Sequence, residues 1–302
     1  MKPARFLYLA VFTLLMLLLS CCAADRRNIN DADGSERSIS VHESAFVSRD
    51  DFYYYLGLKK TLSREKIPVP VTLASGVIPH HLAAGHLNAR YFEAIVENDP
   101  KIIVLVGPNH TNTGARIIGG SNSWATPSGP LSAERRAISV LAQKGLVKID
   151  ERVLAKEHSI GAVIPFIKFY LPNAQVLPLI FHHDVKLSEI ENLLDHLDAE
   201  LGKEGYLLLA SVDFSHYLTY DKAAAKDEQT IRAIFDYDYF ALYAMGNDHL
   251  DSPAALSMAM RRAERVNNKE VIIIDHTNSG MITQKEQMET TSYFTLMFAF
   301  GS

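Results

Sequence analysis

The chain has 302 residues, of which 48% are hydrophobic and 22% charged, and its formal net charge is -5. That composition excludes a disordered, collagenous or coiled-coil chain. The acidic balance and the single tryptophan supply neither the basic footprint nor the stacking platform of a nucleic-acid binder, so no nucleic-acid partner is expected.

The only cysteines are the adjacent Cys21 and Cys22, so the folded body has no disulfide framework, cysteine nucleophile or thiolate metal site. Lys2 and Arg5 precede an apolar run from Phe6 to Leu19, which is short for a bilayer span and suits the core of a signal peptide. Ser20 before Cys21 resembles a bacterial lipoprotein box. The resemblance implies export, cleavage and a lipid on Cys21, giving a membrane-anchored periplasmic or cell-surface protein with residues 1–21 as its signal. A plain N-terminal anchor helix is the alternative. Residues 22–69 read as linker and preamble. Asp25 to Ser40 is polar, and Asp50 to Leu62, with Phe52, Tyr53, Tyr54 and Tyr55, is expected to pack on the body as a short helix.

Residues 70–302 alternate strands and helices. Val71 to Ile78 reads as a strand that runs into Pro79-His80-His81, and Leu82 to Val96 has helical spacing. Lys101 to Val106 is almost continuously apolar, as in a strand covered on both faces, and ends at Gly107-Pro108-Asn109-His110. Ser132 to Gln143 is expected as a helix capped by Ser132, and Glu157 to Tyr170 as a second helix disturbed near Pro165. Gln175 to Phe181 is a strand, Ser188 to Leu201 an amphipathic helix capped by Ser188, and Tyr206 to Val212 a buried strand that leads into Asp213-Phe214-Ser215-His216. Lys222 to Phe235 and Pro253 to Arg265 are helical, with Pro253 at a first helical position. Val271 to Ile274 is a strand before Asp275-His276, and Tyr293 to Phe300 a last strand, expected at an antiparallel edge.

This order predicts an α/β fold, a mostly parallel sheet with helices on both faces, whose ligands collect at the carboxyl ends of the strands. His80, His81, His110, Asp213, His216 and His276 each follow a strand and would line that edge. Two imidazoles from separate strands, His80 and His110, suit iron, copper or zinc. Asp213 and His216 read as an acid/base histidine with a carboxylate setting its tautomer, or as a helix cap with an incidental histidine. Glu157 and His158 either line the pocket and support it by hydrogen bonds or mark a helix start. His182 and His183 fit a surface loop better than a ligand pair. No glycine-rich phosphate loop or nucleophile elbow is present.

Five ordered segments then carry a resemblance: Gly76-Val77-Ile78-Pro79-His80, Leu105 to His110, Trp124 to Leu131, Glu157-His158-Ser159-Ile160 and Ser211 to His216. Together they resemble the Memo family, whose bacterial members are called AmmeMemoRadiSam system protein B. The resemblance implies a fold similar to class III extradiol ring-cleaving dioxygenases, with non-haem Fe(II) held by two histidines and a carboxylate. It matches His80 and His110 to the metal histidines, and Asp213 and His216 to the pocket aspartate and acid/base histidine. Memo-like proteins commonly carry a cysteine as third ligand, which this chain lacks; Asn247 to Leu256 aligns there, so Asp251 is expected as a carboxylate ligand, or else as a cap of the Pro253 helix. The run His80-His81-Leu82-Ala83 departs from the family's histidine–alanine–glycine–tyrosine and leaves the role of His81 in the pocket wall open.

The expectation is a divalent metal, Fe(II) first with copper or zinc as alternatives, and a small-molecule or peptide ligand. The protein is then either an Fe(II) oxidoreductase or a non-catalytic binding protein on the same scaffold. A zinc hydrolase is a third reading.

Overall fold

A computed structural model describes residues 40–43, 46–59, 73–285 and 289–299. The apolar run, Cys21 and the polar linker as far as residue 39 lie outside them. The described residues fall in one unit, Ser40–Ser302, and no helix among them is long and apolar enough to cross a membrane.

Apolar strands covered on both faces make the centre of the sheet. Strand β2 (Leu73–Ile78) lies parallel to β9 (Leu207–Ser211), β9 to β3 (Ile102–Pro108), and β3 to β8 (Gln175–Phe181). Alternate side chains of β3 enter different cores. Val104 and Val106 join a cluster under helices α7 (Leu187–Leu201) and α10 (Pro253–Arg265), while Ile103 and Leu105 join one under α2 (Gly85–Ile95) and α6 (Ile164–Tyr170). Every one of these β3 side chains is fully buried. Truncating Ile103 or Leu105 to alanine removes packing worth about 2–5 kcal/mol.

The flanks are antiparallel. Strand β12 (Thr290–Ala299) pairs antiparallel with β2, with β10 (His216–Leu218) and with β11 (Glu270–Asn278), and residues 296–299 have β2 and β11 as neighbours at once. It is therefore interior to the sheet, not the edge expected from its sequence. At the far side β4 (Ile117–Gly119) runs antiparallel to β8 and parallel to β7 (Lys148–Ile149).

Local sequence explains most boundaries. Helix α10 begins at Pro253, capped by the Ser252 hydroxyl, which accepts from Ala255 N–H. Helix α3 (Arg135–Gln143) starts later than expected. Ser132 and Ala133 form β6 beside β8, and the cap is Glu134, whose carboxylate accepts from Ala137 N–H at 2.7 Å. Ser188 lies inside α7, whose first turn follows Lys186 and is closed by Glu189 accepting from Lys186 N–H. The stretch from Glu157 to Tyr170 splits into a short helix, α5 (His158–Gly161), and α6, with Pro165 in the first turn of the latter.

The N-terminal preamble contributes to the body. Helix α1 (Arg49–Leu58) buries Phe52 completely, and β1 (Val41–His42) runs parallel to β5 (Ser123–Trp124).

Candidate metal centre

The sheet order decides the site. Strand β9 lies between β2 and β3, so the turn after β9 sits between the turns that carry His80 and His110. Adjacent strands are about 4.8 Å apart. Imidazoles leaning inward from β2 and β3 therefore meet over the end of β9, and their ring centroids are 5.1 Å apart.

Each imidazole is held from behind. His80 Nδ1 shares a hydrogen bond with Ser211 Oγ at 3.1 Å, which leaves Nε2 facing the cleft, 3.2 Å from Asp251 Oδ2 and 3.5 Å from Asp213 Oδ2. His110 Nδ1 lies 2.8 Å from Glu157 Oε1, and His110 N–H donates to Glu157 Oε2 at 3.0 Å. Its Nε2 is 3.9 Å from the same Asp251 Oδ2. Hydrogen bonding at Nδ1 fixes the tautomer that presents Nε2 as a metal ligand.

Glu157 does both things its sequence allowed. It caps α5 by accepting from Ser159 N–H at 3.0 Å, and it braces His110. Ser159 Oγ donates to Pro108 O at 2.9 Å, tying α5 to the end of β3. The contact requires Gly107, because a Cβ there would stand 2.7 Å from Ser159 Oγ. His158 is thereby stacked on His110, with centroids 4.1 Å apart and planes at 22°.

Asp213 and Asp251 face each other across two turns. Asp213 N–H donates to Asp251 Oδ2 at 3.2 Å, and Asp251 N–H donates to Asp213 O at 3.1 Å. Asp213 carboxylate oxygens accept from the backbone N–H of His80 at 3.1 Å and of His81 at 3.2 Å. Among the described residues His216 Nδ1 is buried without a hydrogen-bond partner. The expected Asp213–His216 pair thus has Asp213 turned to the His80 turn. His81 Nδ1 is 2.6 Å from the Tyr293 hydroxyl. His276, expected at the same sheet edge, lies inside antiparallel β11 and bonds Asp227 at 2.9 Å, outside the cleft. His182 is in an exposed pair with Asp184 at 2.6 Å.

Burial lowers the His80 imidazole, but Asp213, Asp251 and Glu157 outweigh it and hold the metal-free ring at about 9. Burial, with the charges of His110 and His80, pushes His158 down to about 4. Burial would raise Glu157, yet hydrogen bonds from His110 and Ser159 pull it down to about 2.

These donors fit a metal ion. Two overlapping groups, His80–His110–His158 and His80–Asp213–Asp251, bring their ligand atoms within 4.8 Å of one another. Ligands bound at about 2.1 Å in a tetrahedron stand about 3.4 Å apart, close to the separations above. Asp251 Oδ1 is buried with no hydrogen-bond partner among the described residues, as a carboxylate oxygen reserved for a cation would be. The sequence offered His158 only as a pocket-lining or supporting residue or as part of a helix start; its position in the first group follows from α5 packing on β3, which no spacing in the sequence reveals.

The description "Memo-like protein" matches residues 58–297. A "MEMO1 family protein" of Metallosphaera sedula is 28% identical over 74% of this chain and 82% of its own length. One from Thermotoga maritima is 30% identical over 62% of this chain and 71% of its own. The solved structure of uncharacterized protein JW3007 from Escherichia coli K12 is similar over 76% of this chain and 100% of its own, at 12% identity and a TM-score of 0.48, a likeness too slight to bear on the site. With the family description spanning all the turns that build the cleft, the chain belongs to the Memo-like protein family.

Proposed function

We propose that the cleft binds one divalent metal ion through His80 Nε2, His110 Nε2 and the Asp251 carboxylate, and that the protein is a non-haem Fe(II) oxidoreductase. The observation that carries this reading is the convergence of two back-braced imidazoles on one buried carboxylate oxygen. Two histidines and one carboxylate suit Fe(II) with open positions; copper and zinc accept the same nitrogen donors. The bound ion supplies Lewis acidity and, as Fe(II), redox chemistry with oxygen.

The chain's own residues supply orientation and proton handling. Ser211 and Glu157 keep the two Nε2 atoms aimed inward. Asp213 holds the backbone of the His80 turn. His158, held neutral at pH 7 by burial and by the charges of His110 and His80, stacks on His110 at the partly exposed rim of the cleft. His216 is the acid/base residue implied by the resemblance. The ligand is a small molecule or peptide able to reach this partly exposed rim.

Metal analysis of anaerobically purified protein, with Fe(II) titration and oxygen consumption, tests the reading. Wild type is expected to bind near one equivalent. The double substitution His80→Ala plus His110→Ala is expected to weaken binding at least about 100-fold. Unchanged binding in that variant removes the site, and bound metal without turnover across phenols and other reductants leaves a binding protein.

We also infer export and lipid attachment at Cys21, on the strength of Lys2, Arg5, the apolar run and Ser20-Cys21.

A further inference from the structure

Helix α8 (Tyr220–Phe235) gives the cleft none of its donor atoms, yet it grips both chain segments that carry the cleft's carboxylates, Asp213 and Asp251. Asp227, 2% exposed, accepts from Ser215 Oγ at 2.8 Å, two residues beyond Asp213. One helical turn apart on the same face, Lys226 and Thr230 enclose buried His249, two residues before Asp251.

One proton arrangement satisfies this second contact. The Thr230 hydroxyl donates to Lys226 O at 3.0 Å, so its oxygen accepts from His249 Nδ1–H at 3.0 Å. Lys226 Nζ has only hydrogens to give. His249 Nε2 therefore accepts from it at 3.1 Å, while Nζ also pairs with Asp248 at 2.6 Å. The two gripped segments are joined to each other by His216 N–H donating to Asn247 O at 3.3 Å and by the Phe214–Leu250 bridge.

We propose that α8 is a clamp that sets the separation of the Asp213 and Asp251 carboxylates, with His249 as its positioning residue. The inference rests on the metal-site reading above. It assigns His249, Lys226 and Thr230 a role in metal affinity although none of them touches the ion.

The test is Co(II) binding to the purified full-length protein in detergent, followed by calorimetry and by the visible ligand-field bands, which report ligand geometry. His249→Leu leaves Lys226 and Thr230 without their partner. It is expected to weaken Co(II) binding at least about tenfold and to change the bands. Thr230→Val is expected to follow it, and Thr230→Ser to keep the wild-type affinity and spectrum. Should His249→Leu fail to fold, Lys226→Met, which alters a partly exposed side chain, carries the same expectation. Wild-type affinity and bands in the folded variants overturn the clamp alone. A wild-type protein that binds no Co(II) overturns the metal reading and the clamp together.

Discussion

His80 is the residue on which the site turns. In the metal-free protein its ring sits between two carboxylates with a pKa of about 9, so at neutral pH it carries a proton that an incoming ion must displace. Apparent metal affinity is therefore expected to rise about tenfold per pH unit up to pH about 9 and then flatten, as titration calorimetry across that range will show. Stability of the metal-free protein runs the other way. A pKa raised on folding stabilises fully below the unfolded value of 6.5, and that contribution fades as pH climbs through about 9. Glu157 is the opposite case. Its carboxyl is depressed to about 2, so its contribution is full above 4.5 and lost as pH falls through about 2. The stability gap between wild type and Glu157→Gln, from urea unfolding, is expected to shrink over that acid range. At this scale the sequence showed His80, His110 and Asp213 plainly, because each follows an apolar strand. It was silent on Ser211 as the His80 brace, since a strand-terminal serine looks the same whether or not a ring lies above it.

At the scale of elements, buried periodic segments were read well and short ones poorly. Gln175–Phe181 and Pro253–Arg265 have the boundaries their patterns predict. Strands β4, β5 and β7 are two or three residues long, too short to carry a period. Ser132 looked like a cap because it precedes an apolar run, but its backbone is taken up by β8 and Glu134 caps in its place. Glu134→Ala is expected to cost about 1 kcal/mol in thermal or urea unfolding, and Ser132→Ala less than about 0.5 kcal/mol. His276 was misplaced for a related reason. Its strand is longer than its apolar core and antiparallel, so the ring lies within β11, stacked on Phe294 with centroids 4.0 Å apart.

For the whole molecule, strand–helix alternation was enough to fix the layered architecture, since a parallel centre needs helical crossovers on its faces. Strand order was not contained in that alternation. The placement of β9 between β2 and β3 depends on which apolar faces pack best, and it brings together residues far apart in the chain. One peripheral segment was legible as well: the short helix expected over Asp50 to Leu62 runs from Arg49 to Leu58 and joins the body through Phe52. Export is tested directly by mass spectrometry of the mature N-terminus. A lipid-modified Cys21 is the expected result, and an intact Met1 removes the lipoprotein reading in favour of a plain N-terminal anchor helix.

The interposed strand also dictates when the cleft can exist. His80 and Asp213 are 133 positions apart, and Asp251 comes later still. A ribosome must release most of the polypeptide before these groups can meet, and a chain threaded unfolded across a membrane would arrive with no ion on board. Loading would then draw on whatever cations the destination compartment offers, so the environment after translocation, as much as the donor set, would choose the metal.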